Sequence, residues 1–259
     1  MKVIVIGAGG RLGSRIVENA VAAGHDVTAY VRDPEKLRRS SGIAPAALAL
    51  VRVVQGDAAD AAALRAAMRG HCAAVQAAGY IGETYAAGAP LARLVASAVA
   101  AAAEGLEAPR RLWVLAGAGV LDVPGRPGLM LLDVPGTPRK YLVHRDNLAL
   151  LRREGAALDW SLACPGAMYD APAGRTPPGA AHPPARAVVD EAPLRLPGWA
   201  ACLPAALLLP ALAAAPRQLR SASYEEVAAA IVDHLDGGGP LRHKRVGFVG
   251  GGGCGGGAP

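Results

Sequence analysis

Glycines between a strand pattern and a helix pattern mark the start of the chain. The strand pattern is the β-branched run from Val3 to Ile6, and Gly7-Ala-Gly9-Gly10-Arg11-Leu12-Gly13 follows it. A strand, a glycine-rich turn and a helix bring backbone N–H groups and a helix dipole to one point, which suits a pyrophosphate. The spacing is G-x-x-G-x-x-G, because Leu12 stands where a strict G-x-G-x-x-G requires glycine. We predict nucleotide binding by Gly7, Gly9, Gly10, Arg11, Leu12 and Gly13.

Arg32 follows the second strand pattern, where a sheet of this kind meets the adenosine ribose of a dinucleotide. A site for NAD usually has a carboxylate here, whereas an arginine suits the 2′-phosphate of NADP. Arg11 is a second guanidinium for the same group, and two guanidiniums form strong charge-assisted hydrogen bonds with a phosphate. Asp33 is the counter-argument, but its place before Pro34 favours a helix cap. The pattern predicts NADPH rather than NADH; the alternative for Arg32 is a solvated surface residue.

Two further strand ends carry residues that a cofactor would meet. Asp57 follows the third strand pattern and is placed to accept a hydrogen bond from an adenine amino group or, alternatively, to cap a turn. Ala58 stands beside it. Ala77, Ala78 and Gly79 end the fourth strand pattern, and their small size permits close approach of the backbone to a ribose and pyrophosphate; the alternative is tight packing. We predict that all of them bind the cofactor.

The order of the patterns predicts the fold. Six strand patterns precede residue 165, and helical patterns with short connections separate them. This alternation predicts an α/β fold of Rossmann type, a doubly wound parallel sheet with helices on both faces. We expect one domain over residues 1–249, closed by a capped helix after Ser223 and a last strand from Lys244 to Val249.

Composition excludes several classes of protein. The 259 residues are 52% hydrophobic and 19% charged, so the chain can bury a core. The net charge of +6 tolerates anionic ligands, but the basic residues are scattered, so no nucleic-acid partner is expected. The four cysteines form no C-x-x-C pair, which argues against a metal site and favours a reducing, cytoplasmic location. No signal-peptide pattern precedes the first strand.

Proline and glycine dominate part of the C-terminal third. Residues 170–220 are predicted to form an irregular excursion, and the almost wholly apolar stretch 194–216 within it has a proline every six or seven residues. That spacing breaks a membrane-spanning helix. We expect short helical turns that cap a substrate cleft or a subunit contact, or else peripheral membrane contact. The glycine-rich tail 250–259 is expected to be disordered.

Four of these motifs together resemble the atypical short-chain dehydrogenase/reductases, in particular NAD(P)H-binding proteins related to flavin/biliverdin reductase and to NmrA-like proteins. The motifs are G-A-G-G-R-L-G from Gly7, V-R-D-P from Val31, V-Q-G-D from Val54 and L-D-W-S from Leu158. The similarity covers residues 1–168 and 221–249. It implies a Rossmann fold, NADP(H) bound by the glycine turn and Arg32, and reduction of a small carbonyl, quinone or flavin-like acceptor.

The catalytic half departs from that family's pattern. Typical members have a serine near the end of strand five and Y-x-x-x-K on the next helix, where the tyrosine donates a proton. Here residues 116–119 read A-G-A-G, and the helix reads Tyr141-Leu-Val-His144-Arg145. Residues i and i+4 share a helix face, so Arg145 is predicted beside Tyr141, although arginine does not replace lysine equivalently. His144 is the rival proton donor; the alternative is that these are ordinary residues near a helix start.

Together the motifs predict an NADPH-dependent oxidoreductase that transfers hydride to a small apolar acceptor, namely a carbonyl, quinone, enone or flavin. A cofactor carries the difficult step itself, so the fold can act without a dedicated acid. Two alternatives stay open: a non-catalytic NADP(H)-binding sensor of NmrA type, and a nucleotide-dependent epimerase or isomerase. The protein is expected to be a monomer or homodimer with no membrane span.

Overall fold

A central eight-stranded sheet organises the molecule. The computed structural model describes residues 1–79, 86, 89–123, 125–171, 186–189, 203–204, 207 and 221–250. The strands of this sheet are β1 (Lys2–Ile6), β2 (Asp26–Val31), β3 (Arg52–Gln55), β4 (Ala73–Gln76), β5 (Arg111–Leu115), β8 (Asp159–Cys164), β10 (Arg186–Val189) and β12 (Lys244–Val249). They lie in the order β10-β12-β8-β5-β4-β1-β2-β3. Seven of them are parallel, and the edge strand β10 is antiparallel to its neighbour.

Helices connect the strands and cover both faces of the sheet. Their starts follow local sequence chemistry: Asp33 and Asp60 accept backbone N–H groups of the first turn, and Ser223 forms a reciprocal capping box with Glu226. The helices are α1 (Arg11–Ala22), α2 (Pro34–Ser40), α3 (Pro45–Leu48), α4 (Ala61–Met68), α5 (Ala89–Gly105), α6 (Val143–Glu154) and α7 (Tyr224–Val232). The predicted α/β Rossmann architecture is confirmed.

Two apolar layers sandwich the sheet. Alternate residues of a strand point to opposite faces, so Val3 and Val5 pack against α1 and α7, while Ile4 and Ile6 pack against α4, α5 and α6. The central strands are buried on both sides, which explains their nearly continuous apolar runs. These layers fix where the ends of the strands lie.

A buried ion pair ties together the amino-terminal ends of β5 and β8. The Arg111 guanidinium donates to Asp159 Oδ1 at 2.8 Å and to Ser161 Oγ at 2.8 Å, and Asp159 Oδ2 accepts from the Gly238 N–H at 2.6 Å. Arg111 also lies 4.7 Å from the ring centre of Trp113. Because each charge is paired and hydrogen-bonded, its burial is tolerated.

The segment 120–138 after β5 is rich in glycine and proline, a composition that predicts a loop, but the structure differs. It contains an antiparallel pair, β6 (Asp122–Val123) with β7 (Arg126–Met130). The Arg245 guanidinium on β12 holds this hairpin by two contacts with the Asp122 carboxylate, at 2.9 and 3.2 Å. The proline- and glycine-rich composition obscured the hairpin because its strands are short.

Other boundaries also differ from expectation. Strand β4 ends at Gln76 rather than Ala78, and a 3₁₀ turn over Arg139–Leu142 precedes α6. A second two-stranded sheet, in which β9 (Ala167–Tyr169) and β11 (Ser221–Ser223) are parallel, was not predicted. The tail beyond residue 250 and nearly all of the apolar stretch 194–216 lie outside the described residues. No helix in the described part of the chain is long and apolar enough to cross a membrane.

Candidate nucleotide-binding site

The glycine turn after β1 is held by very close backbone packing. Gly7 has a φ of +81°, a conformation that suits glycine, and its carbonyl accepts the Gly10 N–H at 2.9 Å. A Cβ on Gly13 would lie only 2.2 Å from the same Gly7 carbonyl oxygen. The first turn of α1 therefore sits directly against the end of β1, and only glycine permits that approach.

The end of β4 closes on the same turn from the other side. A Cβ on Gly7 would lie 2.5 Å from the Ala78 Cα. The Ala77 N–H donates to the Ile6 carbonyl at 3.0 Å, and the Ala78 N–H donates to Gln76 Oε1 at 2.9 Å. The order of the strands reverses between β1 and β4: the chain adds β2 and β3 on one side of β1, and then β4 and β5 on the other side. This is a topological switch point, where α/β sheets bind ligands.

A cavity of about 410 Å³ opens at the carboxyl ends of β1 to β4. Its size falls in the range of small-molecule and cofactor sites. It is lined by residues that follow four different strands and by the start of α5: Gly7, Gly9, Gly10, Tyr30, Val31, Arg32, Asp33, Lys36, Leu37, Gly56, Asp57, Ala58, Ala77, Ala78, Gly79, Pro90, Leu91 and Leu94. The structure thus brings together nine of the twelve residues predicted to bind the cofactor.

Two cations lie at the β2 end of the cavity. Arg32 follows β2, and Lys36 lies in the first turns of α2, four residues later. Asp33 stands between them, but its Oδ1 accepts the Lys36 backbone N–H at 2.9 Å and so serves as the predicted helix cap. Sequence reasoning missed Lys36; its distance of four residues from Arg32 was the available signal.

The floor of the cavity below β3 is aromatic. Tyr30 is buried against Gly56, where a Cβ would collide with the tyrosine hydroxyl at 2.0 Å. The Tyr30 hydroxyl donates to the Asp57 carbonyl at 3.2 Å, and Asp57 Oδ1 accepts the Ala59 N–H at 3.0 Å. The Asp57 carboxylate therefore caps a turn at the edge of the cavity, the alternative considered for it.

Three predicted residues do not line the cavity. Arg11 is the first residue of α1 and is exposed, while Leu12 and Gly13 are buried beneath the turn. Leu12 packs in the apolar layer formed with α7. Leu12 and Gly13 support the shape of the turn.

The three proposed catalytic residues have different surroundings. The Arg145 guanidinium forms an ion pair with the Asp133 carboxylate. Tyr141 lies in the 3₁₀ turn before α6, half-buried, and packs against the apolar layer of that face. Lys140 lies 5.6 Å from its ring centre. The guanidinium predicted beside Tyr141 thus has the Asp133 carboxylate as its ion-pair partner.

His144 is placed differently from the other two. Its side chain is buried, with 2% of its surface exposed, and neither ring nitrogen has a hydrogen-bond partner. Nε2 lies 3.2 Å from the position that a Cβ on Gly117 would take, so the ring reaches the carboxyl end of β5. Burial lowers the pKa of His144 from 6.5 to about 4. The imidazole is therefore neutral at pH 7.

A family model for NAD(P)H-binding proteins matches residues 7–189, which include every residue of the glycine turn and every proposed catalytic residue. The chain belongs to the NAD(P)H-binding family. No curated protein matches the sequence.

Solved structures agree with the family fold. A provisionally named exported protein of Burkholderia pseudomallei is 26% identical, with a TM-score of 0.67 and coverage of 96% of this chain and 99% of that one. A provisionally named NADH-flavin reductase of Streptococcus pneumoniae is 22% identical, with a TM-score of 0.65 and coverage of 96% and 99%. ChuY, an anaerobillin reductase of Escherichia coli O157:H7, is 18% identical, with a TM-score of 0.57 and coverage of 96% and 97%.

Replacement of Gly13 tests the packing of the turn. The Gly13→Ala methyl would overlap the Gly7 carbonyl, so we expect the free energy of unfolding to fall by about 1 to 3 kcal/mol. Gly9→Ala is the control, because its methyl would meet nothing closer than 3.9 Å. Urea denaturation of both variants measures the difference, and equal midpoints would contradict the close approach.

The buried His144 predicts a loss of stability in acid. Its pKa is near 4 in the folded protein and 6.5 in the unfolded chain, which therefore binds more protons between these values. Stability should fall as the pH drops from 6.5 to 4, by about 3 kcal/mol from this group. Denaturant melts of wild type and His144→Leu at pH 7 and pH 4.5 measure the contribution. The wild-type protein should lose more stability than the variant; an equal loss assigns the acid sensitivity elsewhere.

Proposed function

We propose that this family member is an NADPH-dependent oxidoreductase that transfers hydride to a small apolar acceptor. The observation that carries the proposal is the cavity at the switch point of the sheet, where a glycine turn and two cations lie at one rim. The family model supports a nicotinamide cofactor, and the cavity supplies surfaces for its phosphates, ribose and adenine. When bound, such a cofactor supplies the hydride.

The rim of the cavity favours the phosphorylated cofactor. Arg32 and Lys36 are both exposed or half-exposed and both line the cavity after β2. Asp33 is the carboxylate that would compete for a ribose 2′-hydroxyl, but its side chain caps α2. Two cations favour a 2′-phosphate by charge and by hydrogen bonding. NADPH is therefore the proposed form.

The remaining cofactor contacts follow from the turn. Gly9 and Gly10 precede the 12-residue helix α1, whose free backbone N–H groups and dipole favour a pyrophosphate. Ala77, Ala78 and Gly79 carry no bulky side chains, so the backbone at the end of β4 is open to a ribose. The nicotinamide end is then directed toward β5, where Gly117 and His144 lie.

Proton supply to the reduced acceptor is proposed for the start of α6. Tyr141 has a hydroxyl that can donate, whereas the Arg145 guanidinium is held by Asp133. His144 is neutral at pH 7 and can donate a hydrogen bond without carrying charge. An apolar acceptor is proposed from the composition of residues 194–216.

A non-catalytic NADP(H)-binding sensor is the second candidate. Residues 116–119 carry no hydroxyl group, and Arg145 is not available to assist Tyr141. A nucleotide-dependent epimerase is a third, since one structural neighbour from Bacteroides thetaiotaomicron carries the provisional name epimerase. The names of two other neighbours, NADH-flavin reductase and anaerobillin reductase, support the oxidoreductase.

Cofactor preference tests the two cations. Arg32→Ala and Lys36→Ala should each raise the Kd for NADPH about 10- to 100-fold, because each removes a charge-assisted hydrogen bond to the 2′-phosphate. The Kd for NADH should change little. Arg39→Ala is the matched control, since Arg39 is exposed on the same helix but does not line the cavity. Fluorescence titration measures both affinities, and a parallel loss of NADH binding would refute the phosphate contact.

Turnover separates the candidate functions. NADPH oxidation is followed by absorbance with a panel of quinones, enones, aldehydes and free flavin. The oxidoreductase predicts oxidation with at least one acceptor, and Tyr141→Phe then shows whether its hydroxyl contributes. Tight NADPH binding with no oxidation across the panel would favour the sensor.

A further inference from the structure

Three buried polar side chains have nitrogen atoms without a hydrogen-bond partner. They are Gln76 through Nε2, His144 through both ring nitrogens, and Asn147 through Nδ2, with exposures of 1, 2 and 1%. An unpaired buried polar group destabilises the folded state, so such groups are rare and need an explanation. No other described residue has a buried side-chain polar atom without a partner.

The three residues occupy one face and one end of the sheet. Gln76 lies two residues after Ala74 on β4, so both side chains point to the same face of the sheet. That face is covered by α4, α5 and α6, and its apolar layer includes Leu148 and Leu151 of α6. The α6 helix runs from the carboxyl end of β5 toward the amino end of β8, so Asn147 lies one turn inward from His144. His144 reaches Gly117 at the carboxyl end.

The cluster offers donors rather than acceptors. The orientation of the Gln76 amide is fixed, because its Oε1 accepts the Ala78 N–H at 2.9 Å, which leaves the NH₂ group unpaired. The Asn147 NH₂ group is likewise unpaired. A neutral imidazole adds one N–H donor and one acceptor nitrogen. A surplus of donors calls for an oxygen atom with lone pairs.

The cluster also lies beside the end at which the nicotinamide is proposed. Gly117, Ala118 and Gly119 are all half-buried and carry little or no side chain, and this lets the His144 ring lie directly against Gly117. A donor in a site closed to water stabilises developing negative charge more strongly than one in solvent. Burial lowers the pKa of His144 and so keeps the imidazole neutral at pH 7.

We propose that His144, on the same face of the sheet as the unpaired amide donors of Asn147 and Gln76, donates a hydrogen bond to the oxygen of the hydride acceptor. The acceptor class is then a carbonyl compound, namely an enone, quinone or ketone, and the inference rests on the proposed oxidoreductase function. Bound NADPH would supply the hydride and would be left as NADP⁺; the acceptor carbon would gain a C–H bond, and the π electrons of the C=O group, or of the conjugated C=C–C=O system, would move to oxygen. The His144 N–H stabilises that oxyanion, which then takes a proton from the Tyr141 hydroxyl or from water.

A stability–activity comparison tests the assignment. His144→Leu removes an unpaired polar group, so Tm of the free protein should rise by about 2 to 4 °C at pH 7.5. The same change should lower kcat for enone or quinone reduction about 100-fold while the Kd for NADPH is unchanged. His144→Gln keeps an N–H donor and should recover part of kcat. Asn147→Leu should act in the same direction as His144→Leu.

His71 provides the matched control. It is also a buried histidine, but its ring nitrogens are partnered by Thr28 Oγ1 at 2.9 Å and the Arg69 carbonyl at 3.2 Å, at the amino end of the sheet. His71→Leu should therefore lower Tm and leave kcat unchanged. If His144→Leu lowers Tm and leaves kcat unchanged in the same way, the residue is structural and the proposal is wrong.

Failure of the proposed function has a separate signature. If none of the acceptors in the panel supports NADPH oxidation by the wild-type protein, the oxidoreductase assignment fails. The donor groups of His144, Asn147 and Gln76 are then tested by binding alone. The probe is a naphtholate, an oxyanion analogue, titrated into the NADP⁺ complex while the ¹⁵N signals of the His144 ring are followed. Shifts that are absent in His144→Leu support the cluster as an oxygen site. Unshifted signals at saturating naphtholate overturn it.

Discussion

The approach of three backbone segments around Gly7 is the constraint on which the site depends. The end of β1, the first turn of α1 and the end of β4 approach so closely that a methyl group on Gly7 or Gly13 would overlap backbone atoms of its neighbours. Such contact requires glycine, and it brings the N-terminus of a helix to the point where the strand order reverses. The cavity, its cationic rim and its aromatic floor all surround this junction. The shape of the proposed nucleotide site is thus a consequence of how tightly the backbone packs here.

The opposite end of the sheet uses a different device. There the chain buries charge, with Arg111 and Asp159 paired and their remaining hydrogen-bonding groups bound to Ser161 and to the Gly238 N–H. A buried pair with every group satisfied holds strands in register without a binding function. At the carboxyl end, His144 and Asn147 are buried without such partners. The buried polar groups are hydrogen-bonded at one end and unpaired at the other, and this difference is the basis for proposing a ligand at the carboxyl end.

The sequence was informative wherever a local pattern determines the structure. The glycine turn, the caps at Asp33 and Ser223 and the alternation of strands and helices follow from neighbouring residues, and the structure confirms the Rossmann fold and the caps. The hairpin β6–β7 was missed because its strands are short and because its anchor, Arg245, lies more than a hundred residues away. The Arg145–Asp133 ion pair was missed for the same reason: helix periodicity says nothing about a carboxylate in another segment. Long-range contacts decide the catalytic half, and local patterns do not encode them.

His144 shows how the two kinds of information combine. Its place in the sequence made it a candidate acid, on the ground that an imidazole titrates near neutral pH. Burial against the end of β5 removes that property and replaces it with another, since a neutral imidazole keeps an N–H donor while losing its charge. A proton donor and a neutral hydrogen-bond donor use the same N–H group. The first gives its proton to a base, whereas the second keeps its proton and stabilises an oxyanion. The chemistry of this position therefore depends on its surroundings more than on its residue type.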